Sequence, residues 1–291
     1  MDLEELQKQI EKEMNEQNNR MVPDFEGYSP FEMHHILHFT FGANSPIQMQ
    51  KLNDTDYKKI PILNQVKYLT DVIAKNGEIK LTNKGYLPTK IVSDLYNQGF
   101  MKEEHIENGI SKLYKETDSI TINLTRLLIE LAGLVKKRTG KLSLTKNGEK
   151  LIHDDFQLLK TILEAFTLKF NWPYYDGYGD NQIGQLGYGF SLILLSKYGQ
   201  EKRMDSFYAE KYFNAYPQLL NSIEPTYGTF ESNSTRCYSI RTFDRFLDYF
   251  GLVEIHEEGK RFDYTKYVAK TALFDKLIKI RPHSEVAAKP A

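Results

Sequence analysis

A mostly α, α+β fold is predicted by three observations: a succession of amphipathic helical stretches, short alternating runs between them, and a segment that repeats. The repeat is the firmest of the three. "NGEIKLTNKGYL" (76–87) and "TGKLSLTKNGEK" (139–150) align without a gap, matching Gly77 with Gly140, Ile79 with Leu142, Leu81 with Leu144, Thr82 with Thr145 and Gly85 with Gly148. A looser third copy begins at Gly251-Leu252-Val253, which matches Gly133-Leu134-Val135, and Phe262, Tyr264 and Thr265 stand where Leu142, Leu144 and Thr145 stood. With 291 residues, 41% of them hydrophobic, the chain can bury a sizeable core divided among two or three packed units.

The physical content of the repeated unit is clearest around residues 127–152. A helix carrying Leu127, Leu128 and Leu131 ends at Gly133, where glycine can take the left-handed conformation of a helix C-cap. Leu134-Val135 opens a strand, "KKRTGK" is a polar turn, and "LSL" alternates as the returning half-buried strand. Thr145 then occupies an N-cap position before a helix through Leu151-Ile152. Helix, two-stranded ribbon and helix form the back half of a winged helix, with the basic turn as its wing. In wording as well as geometry the segment resembles the wing of bacterial winged-helix regulators of the MarR and PadR type, over roughly 25 residues per copy.

The front halves follow in order. Ser29, Pro30 and Glu32 form an S-x-x-E capping box with proline at the first helical position, Ser45-Pro46 starts a second stretch in the same way, and "ILNQVKYLTDVIAKNG" supplies a third helix. "PTKIVSDLYNQG", "EEHIENGISKLY" and "TRLLIELAG" serve the second unit; "QLGYGFSLILLSKYG", "DSFYAEKYFNAY" and "RTFDRFLDYFG" serve the third. The expected organisation is therefore an N-terminal amphipathic helix at 1–27, winged-helix-like units at 28–87, 88–152 and 183–281, a linking helix with an aromatic, glycine-rich loop at 153–182, and a disordered tail at 282–291. Leu3, Leu6, Ile10 and Met14 share one face of the first helix, which either packs as a cap or pairs with a partner.

Composition narrows the function classes. A formal charge of -1 gives no global basic field for nucleic acid, so partners must be argued from local patches. One cysteine, Cys237, excludes an intrachain disulfide framework and a multi-cysteine zinc site, which fits a reducing cytoplasm. The acidic N-terminal stretch lacks the apolar core of a signal or transit peptide, and "FSLILLS" is too short to span a bilayer, so no membrane partner is expected.

Candidate site residues fall into two groups. Between Arg126 and Lys150 seven basic residues face two acidic ones, so the wing residues Lys136, Lys137, Arg138 and Lys141 are candidates to grip phosphate, with Asn123 and Arg126 approaching a groove. The helix itself is mostly apolar, however, and in the third unit Arg241 and Arg245 stand beside Asp244 and Asp248. The second group is the stretch 170–190, where Trp172, Tyr174, Tyr175, Tyr178 and Tyr188 alternate with glycines and acids. Such a set suits a ligand pocket or partner contact, or else plugs a junction between units.

Signals for chemistry are weak. His34 and His38 are one helical turn apart but lack a third ligand nearby in sequence, so no metal is assigned. No histidine–carboxylate arrangement is readable around Cys237, and phosphate-loop, nucleophile-elbow and kinase signatures are missing, so neither catalytic residues nor a cofactor are assigned. Two readings follow: a non-enzymatic scaffold, protein-interaction or ligand-sensing protein, or a nucleic-acid-binding regulator that uses basic wings.

Overall fold

The structure, a computed structural model, describes residues 3–223, 228–260 and 263–283. The tail expected at 282–291 falls, from residue 284 onward, outside the described residues. Eight strands occur among the described residues: β1 Ile47–Met49, β2 Ile79–Lys80, β3 Val135–Arg138, β4 Lys141–Leu144, β5 Arg203–Met204, β6 Val253–Lys260, β7 Asp263–Lys270 and β8 Ile278–Ile280. They form three antiparallel sheets, ordered β1-β8, β2-β4-β3 and β5-β7-β6, in a chain otherwise dominated by helices. The mostly α, α+β expectation holds. No helix among the described residues is long and apolar enough to cross a membrane.

The chain divides into two compact units rather than three. The second unit in space, residues 51–177 with 249–251, is almost one continuous segment. Its first long helix, Pro61–Asn76, starts with proline, whose fixed φ suits a first helical position, and buries Ile62, Leu63, Val66, Leu69 and Ile73 on one side. Then come β2, the Thr89–Asn97 helix, the Ile120–Leu131 helix, β3 and β4. The ribbon forms as its sequence dictates. Gly133 takes φ 69°, and Leu134 N–H bonds to the Ile129 carbonyl to close the helix end. Thr139 and Gly140 both have positive φ, as a two-residue hairpin turn of matching twist requires. Thr145 caps the next helix by accepting from Gly148 N–H at 2.9 Å.

The segment 76–87 does not make a second ribbon. β2 is two residues long and pairs with β4, in the register Ile79 to Leu142 and Lys80 to Lys141. The preceding helix runs to Asn76, which leaves no chain for a strand before β2, and Thr82 to Tyr86 closes a tight turn directly after it. The two aligned copies are neighbours in one sheet, and so the expected units at 28–87 and 88–152 merge from residue 51 onward.

The other unit gathers residues 1–50, 178–248 and 252–291. The capping box at Ser29 and Glu32 forms, with Glu32 accepting from Ser29 N–H at 2.9 Å. The second serine–proline start does not lead to a helix: 47–49 is strand β1, held by β8 in the register Ile47 to Ile280. Next come the helices Tyr188–Tyr198, Asp205–Ala215 and Phe230–Ser239, the last continuing as π-helical turns through Leu247, with β5 ahead of the second helix and the β6–β7 ribbon after the third. Phe190, Tyr208, Tyr212, Tyr238, Phe243 and Phe246 fill this core. No residue of the N-terminal helix Leu3–Asn19 is buried, and Leu3, Leu6, Ile10 and Met14 are all exposed.

Both units follow one order of elements: helix, strand, helix, helix, strand, strand. In both, the first of these strands pairs with the third.

Candidate functional site

The Ile120–Leu131 helix and the ribbon behind it carry the basic candidates, and they separate cleanly. Lys136, Lys137 and Arg138 are exposed along β3. Lys141, on β4, ion-pairs with Glu78, the residue before β2. Asn123 and Arg126, expected to face a groove, are instead buried.

Both are held by Glu116, a fully buried carboxylate in the turn before the helix. Glu116 accepts from Leu87 N–H at 2.6 Å, Asn123 Nδ2 at 2.5 Å and Arg126 Nε at 2.5 Å. Arg126 donates its second fork arm to Glu130, one turn further along, and the Tyr175 phenol donates to Asn123 Oδ1. Burial on its own lowers the Arg126 pKa, but Glu116 and Glu130 outweigh it and the guanidinium stays charged. Burial, then Tyr174 and Glu116, push the Tyr175 phenol up, so it remains a neutral donor.

A second carboxylate fixes the start of the same helix. Glu103 accepts from Ser119 Oγ at 2.5 Å, Ile120 N–H at 3.1 Å, and both the N–H and hydroxyl of Thr121, at 3.0 and 2.8 Å. On the other side Gln65 donates to the Thr121 carbonyl and the Thr125 hydroxyl. Every residue from Thr121 to Arg126 is buried, Leu127 and Glu130 are half-buried, and Leu131, at the last position, is exposed. Its polar side chains Asn123, Thr125 and Arg126 are all turned into the protein.

The aromatic candidates do not make one site. Trp172 is buried, donates Nε1–H to the Phe166 carbonyl at 2.9 Å and packs its ring on Phe166 at 5.2 Å. Tyr174 is exposed and meets Tyr175 edge-on at 4.8 Å. Tyr178, half-buried, and Tyr188, buried edge-on against Phe246, belong to the other unit. Arg241 stands near Asp244 in the sequence of the third expected unit. It is fully buried and donates to the Asn181 carbonyl at 2.9 Å, Asn181 Oδ1 at 2.8 Å and the Ile183 carbonyl at 3.2 Å, fastening the loop ahead of the first helix of that unit.

The residue-51 to 177 unit also has a groove of about 610 Å³ lined by Lys51, Asp54, Lys58, Lys67, His153 and Asp155 among others. Its charges oppose one another, with Lys67 on Asp155 at 2.6 Å, and they present no nucleophile backed by a base. The rings of His34 and His38 lie tilted to each other with centroids 4.7 Å apart on an exposed face, and no group of three or more His, Cys, Asp or Glu among the described residues is placed to hold a metal. Cys237 is buried, its thiol 4.0 Å from Asn181 Oδ1.

Three of these residues had no sequence signal strong enough to single them out. Glu116 and Glu103 are isolated acids in connecting turns, and Gln65 is a lone amide on an apolar helix. Only the Arg126–Glu130 pair, at helical spacing, was readable in advance.

Comparison with known proteins adds one finding. No curated protein and no solved structure matches the chain. Residues 58–157, which span the Glu103 and Glu116 networks, the ribbon and most of the groove, match a family described as the Y4jL N-terminal domain.

Proposed function

We propose that this is a non-enzymatic scaffold or protein-interaction protein built from two winged-helix-type modules, working in the reducing cytoplasm. The module assignment is supported by the order helix, strand, helix, helix, ribbon in each unit, with the first strand paired to the last. The MarR and PadR likeness extends that reading to the ribbon sequence alone. One observation carries the choice of scaffold over regulator: the helix before the β3–β4 ribbon, which in a DNA-reading module enters the major groove, has its polar side chains tied into the Glu103 and Glu116 networks. A helix buried on that face cannot present hydrogen-bonding groups to base edges. The exposed apolar stripe of the N-terminal helix supports the same reading, since a solvated helix with no buried residue gains most from a protein surface.

The second reading, nucleic-acid contact through the ribbon, rests on exposed Lys136, Lys137 and Arg138, which suit phosphates without base readout. Binding to mixed double- and single-stranded DNA and RNA across a salt series separates the two. The scaffold reading expects no binding tighter than about 1 µM at low salt. Tight binding that falls steeply with salt, and that vanishes on reversing the charge of Lys136, Lys137 and Arg138, overturns it.

A further inference from the structure

The two ribbons end in edge strands of opposite charge. Among the described residues β3 pairs only with β4 and β6 only with β7, so each is an edge strand of its sheet and can accept a further strand. The exposed side chains of β3 are Lys136, Lys137 and Arg138; those of β6 include Glu254, Glu257 and Glu258. Natural sheets commonly blunt an edge with charge, but charge of one sign protects only against a partner of the same sign.

We propose that copies of this chain associate head to tail, with β3 of one copy adding to β6 of the next as an extra antiparallel strand. The inference rests on the scaffold reading and names its partner: a second copy of the chain. In the register that sets Lys136 opposite Glu258, Lys137 falls opposite Glu257, and Arg138 falls opposite His256 with Glu254 on the diagonal. Directly opposed and diagonal pairs are the ones close enough to interact across strands. Backbone hydrogen bonds provide the attachment and the charges select the partner. The same charges work against the two symmetric alternatives, because β3 on β3 sets cations against cations and β6 on β6 sets acids against acids. Since the two joined surfaces differ, each added copy leaves one edge free, and growth ends only if a ring closes.

The test uses the full chain in sedimentation velocity and light scattering at about 50 mM and about 500 mM salt, where screening differs severalfold. The wild type is expected to at least roughly double its average mass at low salt and to return toward monomer at high salt. The triple variant K136E/K137E/R138E has two acidic edges and the triple variant E254K/E257K/E258K has two basic ones, so each alone is expected to stay monomeric. Mixed in equal amounts they regain complementary edges and assemble at low salt. All six positions are exposed, and the wild-type salt response is read without any substitution. A wild type that remains monomeric at low salt overturns the proposal, as does a lysine-and-arginine variant that associates like the wild type, or a mixture that fails to assemble. A variant that keeps associating but loses nucleic-acid binding assigns the basic ribbon to nucleic acid. The nucleic-acid salt series can fail separately, so loss of this inference and loss of the scaffold reading are told apart.

Discussion

Glu116 sets what the helix ahead of the ribbon can do. Its carboxylate is wholly buried, which is costly unless both oxygens find donors, and here a backbone N–H, an amide and a guanidinium supply them. Removing one partner leaves the others desolvated and unpaired. Glu116→Ala is therefore expected to cost about 3–5 kcal/mol of stability, measured by urea denaturation, because Arg126 would remain buried beside only Glu130. Arg126→Ala should cost a similar amount. The double substitution should cost clearly less than the sum, since the singles break the same pair; strict additivity would show that the two side chains act independently. Trp172 is decided by the same kind of reasoning. Its ring is enclosed and its N–H satisfied internally, so Trp172→Ala is expected to cost about 3–5 kcal/mol and to lower the melting temperature. An unchanged melting temperature with weakened partner binding would return Trp172 to the role of a contact residue.

Among the elements, those whose signals are local were readable from the sequence. Gly133, the Thr139-Gly140 turn and Thr145 each fix a backbone conformation within a few residues, and the β3–β4 ribbon formed where they put it. Elements that depend on distant partners were not readable. Ser45-Pro46 opens like Ser29-Pro30, yet 47–49 becomes a strand because Ile278–Ile280 pairs with it from the other end of the chain. The 76–87 copy likewise looked like a ribbon of its own, although its single short strand belongs beside β4. A tie between elements also sets a pH dependence. Glu26, just after the short Pro23–Phe25 helical turn, accepts from Lys197 at 2.6 Å and Tyr198 at 2.5 Å on one helix and from Lys211 at 2.7 Å on the next. Burial alone raises its pKa, but these hydrogen bonds outweigh burial and hold it below the ordinary glutamate value. A lowered folded-state pKa adds stability that is fully present above the unfolded value, about 4.3, and is lost as pH falls through the folded one. Glu26→Gln is thus expected to be less stable than wild type at pH 7, with the deficit shrinking as the pH drops below that range. A deficit independent of pH in thermal melts would mean that shape, rather than charge, matters at this position.

On the scale of the whole molecule, the two units differ in how their sequence is distributed, and that difference predicts how each behaves alone. Residues 51–177 hold a complete sheet, β2-β4-β3, the Pro61–Asn76, Thr89–Asn97 and Ile120–Leu131 helices, and both carboxylate networks within one stretch of chain. What this stretch lacks from its unit is 249–251, of which Phe250 packs on Phe166 at 5.7 Å. Ile62, Val66, Leu69, Val92, Ile122, Leu128 and Leu142, all within this stretch, are buried. A fragment of 51–177 is expected to fold alone, with a cooperative thermal transition by circular dichroism and dispersed amide resonances. Residues 178–283 lack that autonomy, because β8 depends on β1 and the buried Ile36 and Ile47 come from residues 1–50. Expressed without residues 1–50, this stretch would expose the edge of β8 and an apolar face, and is expected to aggregate or to melt without a cooperative transition. Adding back residues 1–50 as a separate chain should restore cooperativity if the strand pairing is what is missing. If the 178–283 fragment folds cooperatively alone, then β1 and the Pro30–His38 helix are attachments to a finished core, and the unit boundary lies at residue 178.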